Sequence, residues 1–301
     1  MLPKSFPVRR LVAVLISAFL LIVVFWLSGV EGVLRQLAGF PPWAVASMLA
    51  LLLANLFLVS LRFWRVLVHF GIALPWGVAL RASIAGNVAG LFVMSLFGQI
   101  MGRQSVLHSF GVQSVLSASL AAYERMLLAF VSGVLGTLGG FYLLGQTAIA
   151  IFFGQIALAE IVIGVCGGWA LSLWLGGSIF ERKLSGRVLS RANLARVTLI
   201  AGLTFAGQLL VLGCYVVGIL AISKDIPVVS LFAASAIISL AASMPITVNG
   251  WGVREGAAVY VLGNLGIPAA DALTMSVMVG LCSTLVIVAS APFCSRESAH
   301  V

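Results

Sequence analysis

The sequence predicts an all-α, polytopic helical membrane protein. Three observations carry that prediction. Of the 301 residues, 62% are hydrophobic and only 8% are charged, whereas a soluble domain of this length needs far more polar surface. Apolar runs long enough to cross a hydrocarbon core of roughly 30 Å recur from one end to the other. The short strands of alternating hydrophobicity that a membrane β-barrel requires are not seen.

Six stretches read as full spans: Leu11–Val30, Pro42–Leu61, Ser117–Leu144, Ala157–Leu175, Val197–Ile222 and Ala269–Pro292. The first is longer than the apolar region of a secretory signal, and no A-x-A-like site follows it, so it is read as a helix that stays. Two further stretches, Leu74–Val115 and Val228–Gly266, are interrupted by polar residues and glycines. Charge decides how they run. Lys4, Arg9 and Arg10 place the N-terminus in the cytoplasm, as do Arg62 and Arg65 for the end of the second span. The basic loop Glu181–Arg196 belongs on the same side. An odd number of crossings between Arg65 and Ser117 would put that loop outside. Leu74–Val115 is therefore expected to enter and leave on one side as a re-entrant hairpin, with Arg81 and Arg103 at its cytoplasmic mouth. Val228–Gly266 is expected to form a second hairpin from the opposite face, its tip near Pro245–Gly252. One hairpin from each face makes an inverted repeat, the plan of transporters whose broken helices meet near the bilayer midplane. Residues 1–301 are expected to form one integral membrane domain.

The net charge of +9 is assigned to this topology and to anionic lipid headgroups rather than to nucleic acid. Cys166, Cys214, Cys282 and Cys294 lack CxxC spacing and read as small apolar residues, with Cys294 also open to lipidation. His69, His108 and His300 are too scattered to bind a metal. With only Asp225 and Asp271 there is no D-x-D pair, and no P-loop, HExxH or G-x-S-x-G motif occurs. Neither metal nor cofactor is called for, and ATP hydrolysis and nucleophilic catalysis are disfavoured.

Polar residues at unusual places give the candidate substrate-binding set: Asn87, Gln99, Arg103, Glu124, Arg125, Asn249, Trp251, Arg254 and Glu255. An ionised side chain at bilayer depth costs roughly 2.5–3.5 kcal/mol on insertion scales and faces a bundle interior or a wet cavity. Asn249–Ala257 (Asn-Gly-Trp-Gly-Val-Arg-Glu-Gly-Ala) follows the helix breaker Pro245. Broken backbone at that depth needs surrounding protein or a water-lined cavity. The amides Asn87 and Gln99 are suited either to exposed backbone or to a polar ligand. Glu124 and Arg125 are neighbours in sequence and do not face each other on a helix. Each is therefore expected to pair elsewhere, with Arg103 offered as a partner for Glu124 and Glu255 for Arg125. Arg62-Phe63-Trp64-Arg65 reads first as an interfacial belt and second as a phosphate contact. Gly98/Gly102 and Gly164/Gly168 have the GxxxG spacing of helix dimers. Glu160 reads first as interfacial and second as a proton-coupling group.

The stretch Asn249–Ala257, followed by Tyr260–Gly263 and Gly266-Ile267-Pro268, resembles a hallmark of the transmembrane, flippase-like domain of lysylphosphatidylglycerol synthases and their stand-alone relatives. Ser243-Met244-Pro245 with Gly250–Glu255 matches best. Arg62–Arg65 with Gly71, Gly98-Gln99 with Arg103, and Glu124-Arg125 follow in the right order over nearly the whole chain. The chain departs from that pattern at Met94–Phe97, where a Pro-Gly turn is usual, and at Gln99, where an acid is common. The resemblance implies a stand-alone member without the soluble synthase domain. It implies translocation of a lipid across a bacterial inner membrane, such as an aminoacylated phospholipid or, in stand-alone relatives, a polyprenyl-linked or hopanoid-type lipid. The membrane-lipid partner is expected to be anionic or polyprenyl-linked. The rival expectation is a non-transporting membrane partner of a lipid- or glycan-modifying enzyme, docking through Glu181–Arg196. A membrane-embedded lipid enzyme is the third and least favoured.

Overall fold

A computed structural model describes residues 35–92, 95–152, 191–223, 225–244 and 247–294. The expected spans Leu11–Val30 and Ala157–Leu175, Pro245, Glu160, Cys166, Gly164/Gly168, His300 and most of the loop Glu181–Arg196 lie outside them. The described chain runs α1 (Pro42–His69), α2 (Trp76–Phe92), α3 (Ser95–Leu107), α4 (Ser114–Phe152), α5 (Arg191–Ile222), α6 (Val228–Ser243), α7 (Val253–Gly263) and α8 (Ala269–Ser290). No strand occurs among the described residues.

Four of these segments are long and apolar enough to cross a membrane: Pro42–His69, Ser114–Gly145, Ala195–Ile222 and Ala269–Cys294. Each contains one of the predicted spans. α1 and α8 start where proline leads into the helix, since Pro41, Pro42 and Pro268 have no amide hydrogen to leave unsatisfied in the first turn. α4 breaks at Gly145, whose φ of 65° ends the regular helix. The two interrupted stretches are two pairs of short helices. α2 and α3 have 17 and 13 residues, α6 and α7 have 16 and 11. At about 1.5 Å per residue each falls short of a roughly 30 Å core.

The α2–α3 pair is a backbone contact. Gly86 and Gly90 on α2 face Gly98 and Gly102 on α3. A Cβ on Gly98 would stand 2.5 Å from Gly90 Cα, and one on Gly102 would stand 2.5 Å from the carbonyl carbon of Ala85. The Gly98/Gly102 spacing, read as a dimer motif, is thus spent inside the chain, against a second GxxxG at Gly86/Gly90. Small residues let two helices meet where apolar burial gives no drive between them.

The two halves interlock. α1 packs on α2 and α5, α4 on α3 and α6, and α8 on α7, α5, α1 and α2. One apolar core, with Phe63, Leu67, Ala82, Leu107, Leu120 and Ile200, supports the α2–α3 pair. Another, with Met48, Tyr215, Leu231, Ile238, Leu262 and Met275, supports α6 and α7. Outward-facing side chains are apolar too. Phe130, Val134, Leu138 and Phe141 make an exposed stripe on α4, and Leu281, Leu285 and Val288 one on α8. Polar groups are drawn inward instead, the arrangement that suits a hydrocarbon solvent. The chain is an integral membrane protein.

Candidate functional site

One cavity of about 290 Å³ is lined from nearly every helix. Asn87 (α2), Gln99 and Arg103 (α3), Glu124 and Arg125 (α4) and Asn249 (the turn before α7) all reach it. Trp251, Arg254 and Glu255 do not line it. They form a second polar cluster, joined to the cavity wall through Tyr215, whose hydroxyl accepts a hydrogen bond from Arg254.

The cavity's charged wall is built around Glu124. One carboxylate oxygen accepts Arg62 Nε at 2.9 Å, and the other accepts Arg103 Nη1. All three are buried, at 6%, 3% and 2% exposure for Arg62, Arg103 and Glu124. Two guanidiniums share one carboxylate, so the triad carries one excess positive charge. Arg103 also lies over the Phe63 ring, 4.1 Å from its centre, a cation–π contact that gains from desolvation. Gly86 leaves room for this: a Cβ there would stand 3.2 Å from Arg103 Cγ. The Nε of Arg103 and the hydroxyl of Ser132, also on the cavity wall, are buried without a hydrogen-bond partner.

Arg103, expected at the cytoplasmic mouth of the first hairpin, lies buried in this ion pair. Its charge is consumed by a buried pair and gives no sidedness signal. Arg62 was misread as an interfacial, snorkelling residue for the same reason. Only Arg65 of that motif is exposed, with its guanidinium 4.7 Å from the Trp64 ring centre.

The remaining walls are neutral. On α5, Thr204, Gln208 and Tyr215 face the cavity, and Gln208 donates to Ser239 on α6 at 2.9 Å. Asn55 joins from α1. Asn249 has φ 53°, the left-handed region that Asn tolerates better than most side chains. It sits between a short turn from Thr247 and Gly250, whose own φ is 77°. Asn55, Arg62, Gln208, Tyr215 and Ser239 were absent from the sequence-derived set. Their signal was periodic. Asn55 and Arg62 are seven apart on α1, and Thr204, Gln208 and Tyr215 are four and seven apart on α5, each row marking one face of an apolar helix.

The second cluster braces the start of α7. Glu255 Oε2 accepts the Gly252 amide at 2.6 Å, half of a capping box. Its Oε1 accepts Arg254 Nε at 2.8 Å and Nη2 at 2.6 Å, and Ser276 Oγ from α8 at 3.3 Å. Glu255 is thus held by Arg254, not by Arg125 as expected. Neighbouring side chains diverge in mid-helix, but in the first turn the carboxylate folds back over the helix end and Arg254 meets it there. The Arg254 guanidinium lies 4.6 Å from the Trp251 ring centre. Gly280 on α8 makes the space: a Cβ there would stand 2.8 Å from both Arg254 Cζ and the Trp251 ring. Gly280→Ala is expected to displace this pair and destabilise the protein by about 1–3 kcal/mol. Thermal unfolding in detergent measures it, and an unchanged midpoint would remove Gly280 from the brace.

No curated protein and no solved structure is significantly similar to the chain. Residues 10–291 match the family described as Lysylphosphatidylglycerol synthase TM region. The match takes in both helix pairs, the Glu124 triad and the Arg254–Glu255 brace, and it is a membrane region rather than a catalytic domain. Across nearly its whole length, the chain belongs to the lysylphosphatidylglycerol synthase transmembrane family.

Proposed function

We propose that this chain is a flippase-like transporter that carries a lipid headgroup across a bacterial inner membrane, with its N-terminus in the cytoplasm. Residues 1–301 act as one membrane domain, and the pairs α2–α3 and α6–α7 are re-entrant hairpins. The observation that carries the reading is the cavity with the Arg62–Glu124–Arg103 triad in its wall. A headgroup crossing a bilayer must shed water from its charge. Fixed guanidiniums in a desolvated wall replace part of that water, and their forked geometry suits a phosphate. The volume supports the same reading. About 290 Å³ lies at the lower edge of the roughly 300–1,000 Å³ of small-molecule sites, enough for a headgroup whose tails remain in the bilayer.

Arg62, Arg103 and Arg125 contact the headgroup in this scheme, while Asn87, Gln99 and Asn249 bond its polar remainder. Arg254 and Glu255, together with Trp251, hold the shape of the second hairpin and act on transport through it. No chemical step is assigned to any of them.

The test is reconstitution into vesicles with a fluorescent lipid and an impermeant quencher. The intact protein should expose inner-leaflet lipid to the quencher. Arg103→Gln should slow this about 10- to 100-fold, the loss of a hydrogen bond to a charged group. Normal transport by a folded Arg103→Gln protein removes the arginine from the site. Absence of transport by the intact protein, with one lipid- or glycan-modifying enzyme co-purifying, replaces the transporter with a membrane scaffold.

A further inference from the structure

The distribution of charge around the cavity says which headgroup it fits, an inference that rests on the transporter reading. Charge is confined to the walls from α1, α3 and α4, where Arg62 and Arg103 share Glu124. Glu124 is the one carboxylate among the described residues lining the cavity, and both its oxygens already accept an arginine. The walls from α5, α6, α8 and the turn before α7 offer hydroxyls and amides without charge, among them Gln208, Ser239 and Asn249. Such groups both donate and accept hydrogen bonds, which matches a hydroxyl-bearing ligand. An ammonium group brought into this cavity would meet a positive excess and no uncommitted carboxylate among the described lining residues. Burying it there is opposed both by desolvation and by like charge.

We propose that the cavity selects a phosphodiester lipid whose headgroup is otherwise an uncharged polyol, such as a glycerol or sugar phosphate, and rejects aminoacylated headgroups such as the lysyl ester in the family's description. The phosphate sits against the Arg62 and Arg103 guanidiniums, with the Nε of Arg103 and the Ser132 hydroxyl, buried and unpartnered, as donors toward it. The polyol hydroxyls are bonded by Gln208, Ser239 and Asn249.

The experiment is native mass spectrometry of the intact full chain in detergent, with four probes at equal concentration. These are phosphatidylglycerol, lysyl-phosphatidylglycerol, phosphatidic acid and soluble glycerol 3-phosphate. Phosphatidylglycerol should be retained about tenfold over its lysyl ester, the scale of one unfavourable charge contact. Gln208→Leu should lower retention of phosphatidylglycerol and leave that of phosphatidic acid, which lacks the glycerol hydroxyls, unchanged. Equal or better retention of the lysyl ester by the intact protein overturns the proposal and needs no variant to fold. It leaves the transporter reading standing, because that reading needs only a bound lipid that moves. Conversely, phosphatidylglycerol selectivity without vesicle transport keeps the headgroup assignment and removes the transporter. Retention of glycerol 3-phosphate as strong as that of phosphatidylglycerol keeps the headgroup chemistry but assigns it to a soluble solute, which also removes the lipid transporter.

Discussion

Glu124→Gln is expected to destabilise the protein by about 3–5 kcal/mol, the cost of leaving buried charges uncompensated. The substitution keeps the shape of the side chain and removes only its charge. Two guanidiniums that now share one carboxylate would be left close together, nearly free of water, and mutually repelling. An amide has one acceptor oxygen, so at most one of them keeps a hydrogen bond to it. A companion variant separates structure from function. Arg62→Leu, Arg103→Leu and Glu124→Leu together replace the triad with apolar side chains, and such replacements are often neutral or stabilising. The triple variant should recover most of the stability lost by Glu124→Gln while losing retention of anionic lipid. Thermal unfolding in detergent and native mass spectrometry read the two quantities. A Glu124→Gln protein as stable as the parent would mean that the arginines are compensated by other groups and that Glu124 is not the centre of the wall.

This triad also shows what could be read from the sequence and what could not. Four of the spans were legible because a run of apolar residues is a local property, and the four membrane-crossing segments among the described residues each contain a predicted one. Both short-helix pairs were legible from their interruptions. The need of a charge at depth for a partner was legible at Glu124, but nothing in the sequence singled out Arg103 over other cations. Arg62 was missed because an arginine near the end of a span and a cation at the interface look alike in sequence, and only the tertiary position of Glu124 tells them apart. The neutral walls were missed for a different reason. Asn55, Gln208 and Ser239 are scattered polar residues in otherwise apolar helices, and each becomes informative only when the helix face it shares is known to meet the others. The Arg254–Glu255 contact was misassigned because helix-interior geometry was applied to a helix start. Six of the nine sequence-derived positions, Asn87, Gln99, Arg103, Glu124, Arg125 and Asn249, converge on one cavity. The other three brace the turn that carries Asn249, so a motif strong in sequence marks a support as well as a lining.

Gly102→Ala is expected to cost about 1–3 kcal/mol, the range for overpacking, and Gly98→Ala about the same. The neighbours in both cases are backbone atoms of α2, which cannot swing aside as a side chain tip does: Gly90 N and Cα at 2.5 Å for Gly98, and the Ala85 carbonyl carbon at 2.5 Å and Gly86 N at 2.7 Å for Gly102. Relief requires the two helices to separate. Both positions load the same interface, so the double variant should depart from the sum of the singles. The functional effect should exceed the thermodynamic one. Arg103 follows Gly102 directly, and its side chain passes over Gly86 to reach Glu124. Separation of α3 from α2 therefore moves a guanidinium relative to the carboxylate it shares with Arg62. Gly77→Ala is the control: it lies in the same helix pair with nothing within 4 Å of the added methyl. It should be neutral or stabilising by about 0.4–1 kcal/mol, through the reduced freedom of the unfolded chain. Unfolding midpoints and lipid retention, compared across Gly77→Ala, Gly98→Ala and Gly102→Ala, distinguish a close-packed hairpin from a loose one. If all three behave alike, α2 and α3 are not held at backbone contact, and the wall that presents Arg103 is set by the Glu124 ion pair alone.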